Sequence, residues 1–406
     1  MDDQLKTTSA IDEEPERVIN TEQDNENEVG DVNNITAPNQ NPKRNGNFFA
    51  RVWAWIKRNW TGIVLCLVIA VPAWFLGKLV PVIGSAVFAI LLGLIVALFR
   101  RPKFFDPGIK TVSKKILQLS IVFLGFGMNF INVLEVGKDS LLIILSTITT
   151  SIVVAFLLTK LMKIPSKTGI LIGVGSSICG GSAIAATAPV IQSDDADVAR
   201  SISVIFLFNV IAAFLFPFLG QAIGMSDTGF GMWAGTAIND TSSVVAAGQS
   251  WASSHGSDVA LNYATIVKLT RTLAIIPITL VLAIGRMVKA KRAAKLAGGG
   301  NKVKLTFRFS KVFPWFVLFF LLAAVVNTWL FPAIWSQEAP GIAAEVSSAL
   351  TTVGKFLITL AMAAIGLNTN VISLVKKGGK PILMGLICWI AIAGVSLGMQ
   401  AILGIW

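Results

Sequence analysis

Two runs of small and polar residues interrupt segments that are otherwise apolar enough to cross a lipid bilayer. The first run lies at 176–182 and the second at 238–243, each near the middle of a long apolar stretch. Backbone groups left unpaired in hydrocarbon cost several kcal/mol each, so such a break persists only when it is buried in protein or faces a water-filled cavity. Transporters place their binding sites at breaks of this kind. Residues 168–285 are therefore predicted to form a substrate-binding core.

The two interrupted stretches resemble each other at a separation of about sixty residues. At a shift of 60, Ser182 falls on Ser242, and at a shift of 61, Asp197 falls on Asp258. A long apolar segment follows in both copies. The repeated unit is therefore predicted to be one broken segment followed by one complete helix.

The composition places the chain in a membrane. Of its 406 residues, 54% are hydrophobic and 14% are charged, which is more apolar surface than a water-soluble core can bury. The net charge of +12 comes from basic residues in loops between apolar segments, where they orient a membrane protein and do not indicate nucleic acid. The expected fold is an all-α polytopic membrane protein of about 9–11 hydrophobic segments. Two of these segments are expected to be broken or re-entrant, within an inverted repeat.

The chain is expected to have three parts. Residues 1–47 are rich in acidic and amide side chains and predict a disordered cytoplasmic tail. Residues 48–60 mix Trp with Arg and Lys, which is typical of an amphipathic helix at the bilayer interface. Residues 61–406 are expected to form a single transmembrane transporter domain, in which 286–311 make a basic cytoplasmic loop.

Clusters of Lys and Arg alternate from loop to loop. By the positive-inside rule, the N-terminus and the loops near 100–115 and 160–167 lie in the cytoplasm, and the C-terminus lies outside. An outer turn is expected at Glu135, Lys138 and Asp139. Membrane-crossing segments are expected near 61–80, 82–99, 114–134, 140–161, 312–332, 346–366 and 381–404.

Between Lys167 and Arg286 the charge rule allows two arrangements. Both broken segments cross the membrane, or both re-enter it as hairpins. Only the hairpins make the two repeats antiparallel across the membrane, as inverted-repeat transporters require. We therefore favour hairpins.

Two cations lie halfway along the helix that follows the second break. Lys268 and Arg271 are one turn apart and share a helix face. Ionisable groups at this depth usually mark a substrate or ion pathway, and Asp240 is the expected counter-charge. The first copy carries the uncharged Asn209 at a similar depth, so we expect an anion on the side of the second repeat. For Asp240, two roles stay open, as a proton carrier or as the structural partner of the cations.

The breaks supply further groups that suit an anion. Each break leaves a half-helix N-terminus with free N–H groups and the positive end of a dipole, although close helix packing also explains the glycines. Cys179 is expected to be a packing residue rather than a reactive thiol. The predicted substrate-binding residues are Ser176, Ser177, Cys179, Gly180, Gly181, Ser182, Asn239, Asp240, Thr241, Ser242, Ser243, Lys268 and Arg271.

Three stretches of the chain, 177–186, Asn239-Asp240 and 266–271, resemble the YeiH-type family of sulfate exporters. The likeness runs from about Trp60 to the C-terminus. It implies an anion carrier in the bacterial inner membrane, with sulfate or a related oxyanion or sulfonate as the substrate. Many members carry a His-Glu pair where this chain has Asn239-Asp240, so the resemblance alone does not imply a proton-coupling step for this chain.

The leading interpretation is a secondary transporter that exports its substrate by alternating access and needs no cofactor or metal. The chain contains no nucleotide-binding loop that would drive a pump. A coupled proton or sodium ion and a homodimeric assembly stay open. One alternative is a cation/proton antiporter that uses Asp240. A remote alternative is an intramembrane protease with Ser182 as nucleophile and His255 as base.

Overall fold

The computed structural model describes residues 48–81, 83–99, 101–296, 314–335, 341–369 and 379–406. The predicted tail at 1–47 and the basic loop beyond Leu296 lie outside these residues. Within the described ranges every regular element is a helix, which confirms the all-α class. Seven of these helices are long and apolar enough to cross a membrane. They are Trp53–Leu79, Phe130–Leu161, Asp195–Ala222, Val259–Gly285, Trp315–Trp335, Ile342–Asn368 and Gly379–Leu403.

The first part of the chain forms five helices. They are α1 (Phe48–Leu79), α2 (Ser85–Ala97), α3 (Asp106–Thr111), α4 (Leu117–Gly125) and α5 (Phe130–Leu161), with a π-helical stretch at Val112–Ile116. Residues 48–60, predicted to be an amphipathic lead-in at the bilayer interface, form the beginning of α1, which is one continuous helix of 32 residues.

Two predicted spans in this region are wrong. Helix α2 has 13 residues, about 20 Å, which is shorter than the hydrocarbon core of about 30 Å. The predicted span at 114–134 is interrupted, because α4 ends at Gly125 and α5 begins at Phe130. Asn129 fixes that beginning, since its side chain accepts a hydrogen bond of 2.8 Å from the backbone N–H of Ile131. The charges expected in an outer turn, at 135–139, therefore lie within α5.

The middle of the chain contains the two broken segments and the helices that follow them. They are α6 (Ser166–Ser177), α7 (Gly181–Ile191), α8 (Asp195–Ala222), α9 (Asp227–Ala237), α10 (Thr241–His255), α11 (Val259–Leu273) and α12 (Ile275–Leu296). The breaks themselves are 178–180 and 238–240, and they lie 60 residues apart. The sequence-based prediction of two breaks in this region is confirmed. Each break is three residues long, because the flanking Ser and Thr residues belong to the helices on either side.

The remaining described helices follow this middle region in the chain. They are α13 (Trp315–Val325), α14 (Phe331–Trp335), α15 (Ile342–Asn368) and α16 (Gly379–Leu403), with a π-helical stretch at Val326–Leu330. Helix α16 packs against the core through an aromatic group. The indole N–H of Trp233 donates to the carbonyl of Ala393 at 3.2 Å, and the ring of Phe216 stacks on Trp233 with centroids 4.1 Å apart.

Each broken segment folds back on itself. In the first, Lys167 Nζ near the start of α6 donates to the carbonyl of Gln192, just beyond α7, at 2.7 Å. In the second, Trp251 Nε1 near the end of α10 donates to Asp227 Oδ1 at the start of α9, also at 2.7 Å. A continuous helix over residues 166–191 would separate its ends by about 38 Å. The two segments are therefore hairpins, with their breaks at the tips.

Helix α8 joins the bases of the two hairpins. At its start, Thr168 Oγ1 donates to Asp197 Oδ1 at 2.5 Å, and both side chains are buried. At its end, Gln221 Nε2 donates to Ser254 Oγ at 3.1 Å. The helix has 28 residues, a length of about 42 Å. The hairpin bases therefore lie at opposite ends of a helix long enough to cross the membrane.

Candidate functional site

The tips of the two hairpins meet. A Cβ atom placed on Gly180 would lie 3.5 Å from Asp240 Cβ and 3.5 Å from Asn209 Nδ2, on α8. Gly180 has φ of 69°, in the left-handed region that L side chains rarely adopt. Glycine at this position therefore allows both the backbone turn and the close approach of the second tip.

Lys268 ties the two tips together. Its Nζ atom donates to the carbonyl of Ile178 and to the carbonyl of Ile238, both at 2.8 Å. These are the first residues of the two breaks, and the lysine is fully buried. One ammonium group therefore holds equivalent points of the two repeats.

Arg271, one turn further along α11, makes three similar bonds. Its Nε donates to the carbonyl of Ser177 at 2.9 Å, Nη1 to that of Thr236 at 2.5 Å and Nη2 to that of Ser176 at 2.7 Å. The last carbonyls of a helix have no partner within the helix and carry the negative end of its dipole. The two cations therefore satisfy the carbonyl ends of α6 and α9.

These contacts change the role expected of the cations. The sequence suggested that both face the substrate and that Asp240 balances them directly. In the structure their hydrogen bonds go to five backbone carbonyls. The ion pairs among the described residues are Arg101–Asp106, Arg200–Asp197 and Lys355–Asp258, and Asp240 belongs to none of them. A direct contact of Lys268 or Arg271 with substrate stays a prediction.

Asp240 is the N-cap of α10. Its carboxylate accepts hydrogen bonds from the backbone N–H of Ser242, at 3.1 Å, and from the Ser242 hydroxyl. A carboxylate is favourable at the positive end of a helix dipole. The N-terminus of α10 therefore already has a negatively charged partner, which is the carboxylate of Asp240.

The first repeat differs at this position. The N-cap of α7 is Gly180, so no side chain caps this helix. Gly181 is partly exposed and Ser182 is exposed. Because the first N–H groups of a helix lack partners within it, a half-helix with this accessible end can receive an anion.

Three buried polar side chains near the tips have unpaired atoms among the described residues. Asn209 is 2% exposed and lacks a partner at both Nδ2 and Oδ1. Asn239 lacks one at Oδ1 and Ser176 at Oγ. Buried polar atoms nearly always have hydrogen-bond partners. Asn209 was not among the substrate-binding residues predicted from the sequence, because in the complete helices that prediction was based on charged side chains. A polar amide in an otherwise apolar helix could have indicated a binding role.

The other predicted residues have local roles. The Ser177 hydroxyl donates to the carbonyl of Val174 at 3.0 Å. Cys179 is buried in a small apolar cluster with Val174 and Ala183, as a packing residue would be. Thr241 is partly exposed at the start of α10, and Ser243, two residues further along, is buried.

The two residues of the protease interpretation lie on different hairpins, Ser182 beside the tip of the first and His255 at the far end of the second. His255 ends α10, about 21 Å from the start of that helix. Its ring stacks on Trp251 at 4.1 Å, and its Nδ1 lies 2.9 Å from Ser254 Oγ. Ser182 lies at the start of α7, beside the tip of the first hairpin. The structure therefore does not bring Ser182 and His255 together.

A polar cavity of about 480 Å³ lies near the beginning of α11. Asp258, the residue before α11, and Asn262 line it together with Ser347, Thr351 and Lys355 of α15. Lys355 Nζ lies 2.6 Å from Asp258 Oδ2. Neither Lys268 nor Arg271 lines this cavity, which is therefore separate from the tips of the hairpins.

Comparison with known proteins identifies relatives along most of the chain. The family model described as "Conserved hypothetical protein 698" matches residues 61–385. A UPF0324 membrane protein of Streptococcus mutans is 52% identical over 347 residues, which are 85% of this chain and 98% of the relative. One of Streptococcus pyogenes serotype M18 is 53% identical over 351 residues, with shares of 86% and 98%.

A further UPF0324 membrane protein, from Fusobacterium nucleatum, is 48% identical over 351 residues, which are 85% of this chain and 98% of the relative. The matched region of the family model contains both hairpins and both buried cations. No solved structure matches the chain.

Proposed function

The chain belongs to the UPF0324 family of membrane proteins, and from this membership and the geometry of its two breaks we propose that it is a secondary transporter of a small anion. The observation that carries the proposal is the meeting of the two hairpin tips beside Asn209, halfway along α8. Broken helices that meet near the middle of the membrane form the substrate sites of secondary transporters. The relatives are bacterial membrane proteins, which supports a location in the bacterial cell membrane.

The arrangement of the hairpins supports alternating access. Their bases lie at opposite ends of α8, so the hairpins approach each other from opposite sides, as the two halves of an inverted repeat do. The positive-inside rule then puts the base of the first hairpin in the cytoplasm and that of the second outside. Rocking one repeat against the other would expose the tips to each side in turn.

The charges near the tips favour an anion. Lys268 and Arg271 contribute two positive charges, and Asp240, when ionised, contributes one negative charge. Each helix N-terminus adds about half a positive charge and each C-terminus about half a negative charge. The breaks contain two ends of each kind, so these partial charges cancel. A residual of about one positive charge is left to attract an anion. Together with the resemblance to sulfate exporters, this supports sulfate or a related oxyanion or sulfonate, moved outward.

The same charges oppose a cation/proton antiporter. A metal ion at Asp240 would be repelled by two fixed cations on the neighbouring helix, and the Asp240 carboxylate already accepts two hydrogen bonds from Ser242. A coupled proton is compatible with the anion proposal, because Asp240 places a titratable carboxyl group at the tips and the residue is partly exposed.

A ligand-stabilisation screen tests the proposal. The Tm of the purified protein is measured in sulfate, phosphate, methanesulfonate or chloride salts at equal ionic strength. It is also compared between sodium and potassium salts. A ligand that binds only the folded state at 100 times its Kd adds about 2.7 kcal/mol of stability. We expect an oxyanion to raise the Tm above its value in chloride. A Tm that responds only to sodium would favour the antiporter, and no response to any oxyanion would overturn the proposal.

A further inference from the structure

Asn209 is a buried polar residue beside the uncapped tip. It is the fifteenth of the 28 residues of α8 and is 2% exposed. Its Nδ2 lies 3.5 Å from the position of a Cβ atom on Gly180, the N-cap of α7. Neither Nδ2 nor Oδ1 has a hydrogen-bond partner among the described residues. An unpaired amide is thus directed at a helix N-terminus that has no side-chain cap.

The second hairpin shows which chemistry suits the equivalent position. Asp240 lies 60 residues after Gly180, and its carboxylate accepts from the backbone N–H of Ser242 in the first turn of α10. The residue that matches Ser242 in the first hairpin is Ser182, which is exposed. The first turn of α7 therefore offers similar N–H groups without a carboxylate of its own.

We propose that the first turn of α7 and the side-chain amide of Asn209 form the subsite that holds the oxygen atoms of the substrate. This inference rests on the proposed function and moves the anion from the second repeat, where the sequence placed it, to the first. One substrate oxygen accepts from the N–H groups of Gly181 and Ser182, and another accepts from Asn209 Nδ2. Asp240 fills the corresponding place in the second repeat.

This subsite predicts selectivity among anions. A compact oxyanion or sulfonate carries several oxygens on one centre, so it bridges the helix end and the amide at once. Because a halide is a single atom, it accepts hydrogen bonds from fewer of these donors. Lys268 and Arg271 attract the anion by charge while their own hydrogen bonds hold the two breaks. Asn209 then acts as a specificity-determining residue.

The test is the pair of variants Asn209→Leu and Asn209→Asp in the full chain, with Gln249→Leu as the matched control. Gln249 is another buried amide with an unpaired oxygen, but it lies eight residues into α10 from Thr241. Binding of sulfate and of methanesulfonate is measured by titration calorimetry, and the Tm is measured without ligand.

We expect Asn209→Leu to weaken oxyanion binding at least tenfold. The Tm without ligand should stay the same or rise, because the substitution removes a buried amide that has no hydrogen-bond partner in the described part of the chain. Asn209→Asp should also abolish binding, since its carboxylate competes with the anion for the α7 N-terminus. Gln249→Leu should bind within twofold of the wild type.

The outcomes separate this inference from the proposed function. If the wild type binds oxyanions and Asn209→Leu binds them equally well, the subsite is wrong while the anion transporter stands. If the wild type binds no oxyanion at all, the proposed function fails first. Should Asn209→Leu fold poorly, Asn209→Ala decides the matter, and retained binding in that variant overturns the subsite.

Discussion

Gly180 and Asp240 occupy equivalent positions at the tips of the two hairpins, and a Cβ atom on Gly180 would lie 3.5 Å from Asp240 Cβ. One repeat therefore brings a carboxylate to its half-helix N-terminus, and the other leaves that end without a side chain. The tips touch at a position where the two repeats differ by one charge. If the proposed function is right, this asymmetry explains why a site built from two similar units holds one anion at a defined place.

Removing Arg271 should destabilise the protein as well as impair its activity. Arg271→Ala leaves the carbonyls of Ser176, Ser177 and Thr236 without their donors, and each buried orphan costs about 1–3 kcal/mol. We expect a loss of about 3 kcal/mol or more in the free energy of unfolding. Thermal melting and size-exclusion chromatography measure it. Wild-type stability with lost anion binding would instead assign Arg271 to the substrate.

Lys355→Met provides a contrast to Arg271→Ala. Lys355 pairs with Asp258 at 2.6 Å, but the two side chains are 22% and 40% exposed. Partly exposed pairs of this kind contribute about 0–1 kcal/mol. The variant should therefore unfold within about 1 kcal/mol of the wild type by the same melting assay. A larger loss in the free energy of unfolding would mean that the Lys355–Asp258 pair stabilises the packing of α15 against the beginning of α11 more than its exposure suggests.

Asp240→Asn separates capping from proton coupling. Asn is nearly as good an N-cap as Asp, so the variant should keep its fold and its oxyanion binding. An amide does not titrate in this range, so uptake driven by a pH gradient should be lost if Asp240 carries a proton, while counterflow persists. Gradient-driven uptake equal to that of the wild type would exclude Asp240 as the proton carrier.

Single cysteines at the two ends of α8 test the hairpin arrangement in the membrane. Ala196 and Ala222 are exposed small residues near the start and the end of this helix. In a background without Cys66, Cys179 and Cys388, we expect Ala196→Cys to react with an impermeant thiol reagent only from the cytoplasm. Ala222→Cys should react only from outside. The reverse pattern would mean that both broken segments cross the membrane.

The sequence was sufficient to locate the breaks and the buried cations. Glycine, serine and asparagine within apolar stretches predicted interruptions in the two segments, and the structure has breaks at 178–180 and 238–240. It was not sufficient to assign the partners of Lys268 and Arg271. Their partners are backbone carbonyls, which every residue carries, so side-chain chemistry pointed to Asp240 instead.

Segment lengths were also hard to predict from hydropathy alone. Helix α2 belongs to an apolar run at 82–99 but is only 13 residues long. The run at 114–134 is divided at 126–129, where the Asn129 side chain caps α5. A capping bond of this kind is a local interaction, and it does not change the average hydropathy of the segment.

Counterflow in liposomes tests the central proposal most directly. Purified protein is reconstituted into vesicles loaded with unlabelled sulfate, and a trace of labelled sulfate is added outside. We predict that label accumulates transiently above its equilibrium level and that unlabelled methanesulfonate outside competes with it. Labelled sulfate, phosphate and methanesulfonate that all equilibrate no faster than in protein-free vesicles would contradict anion transport.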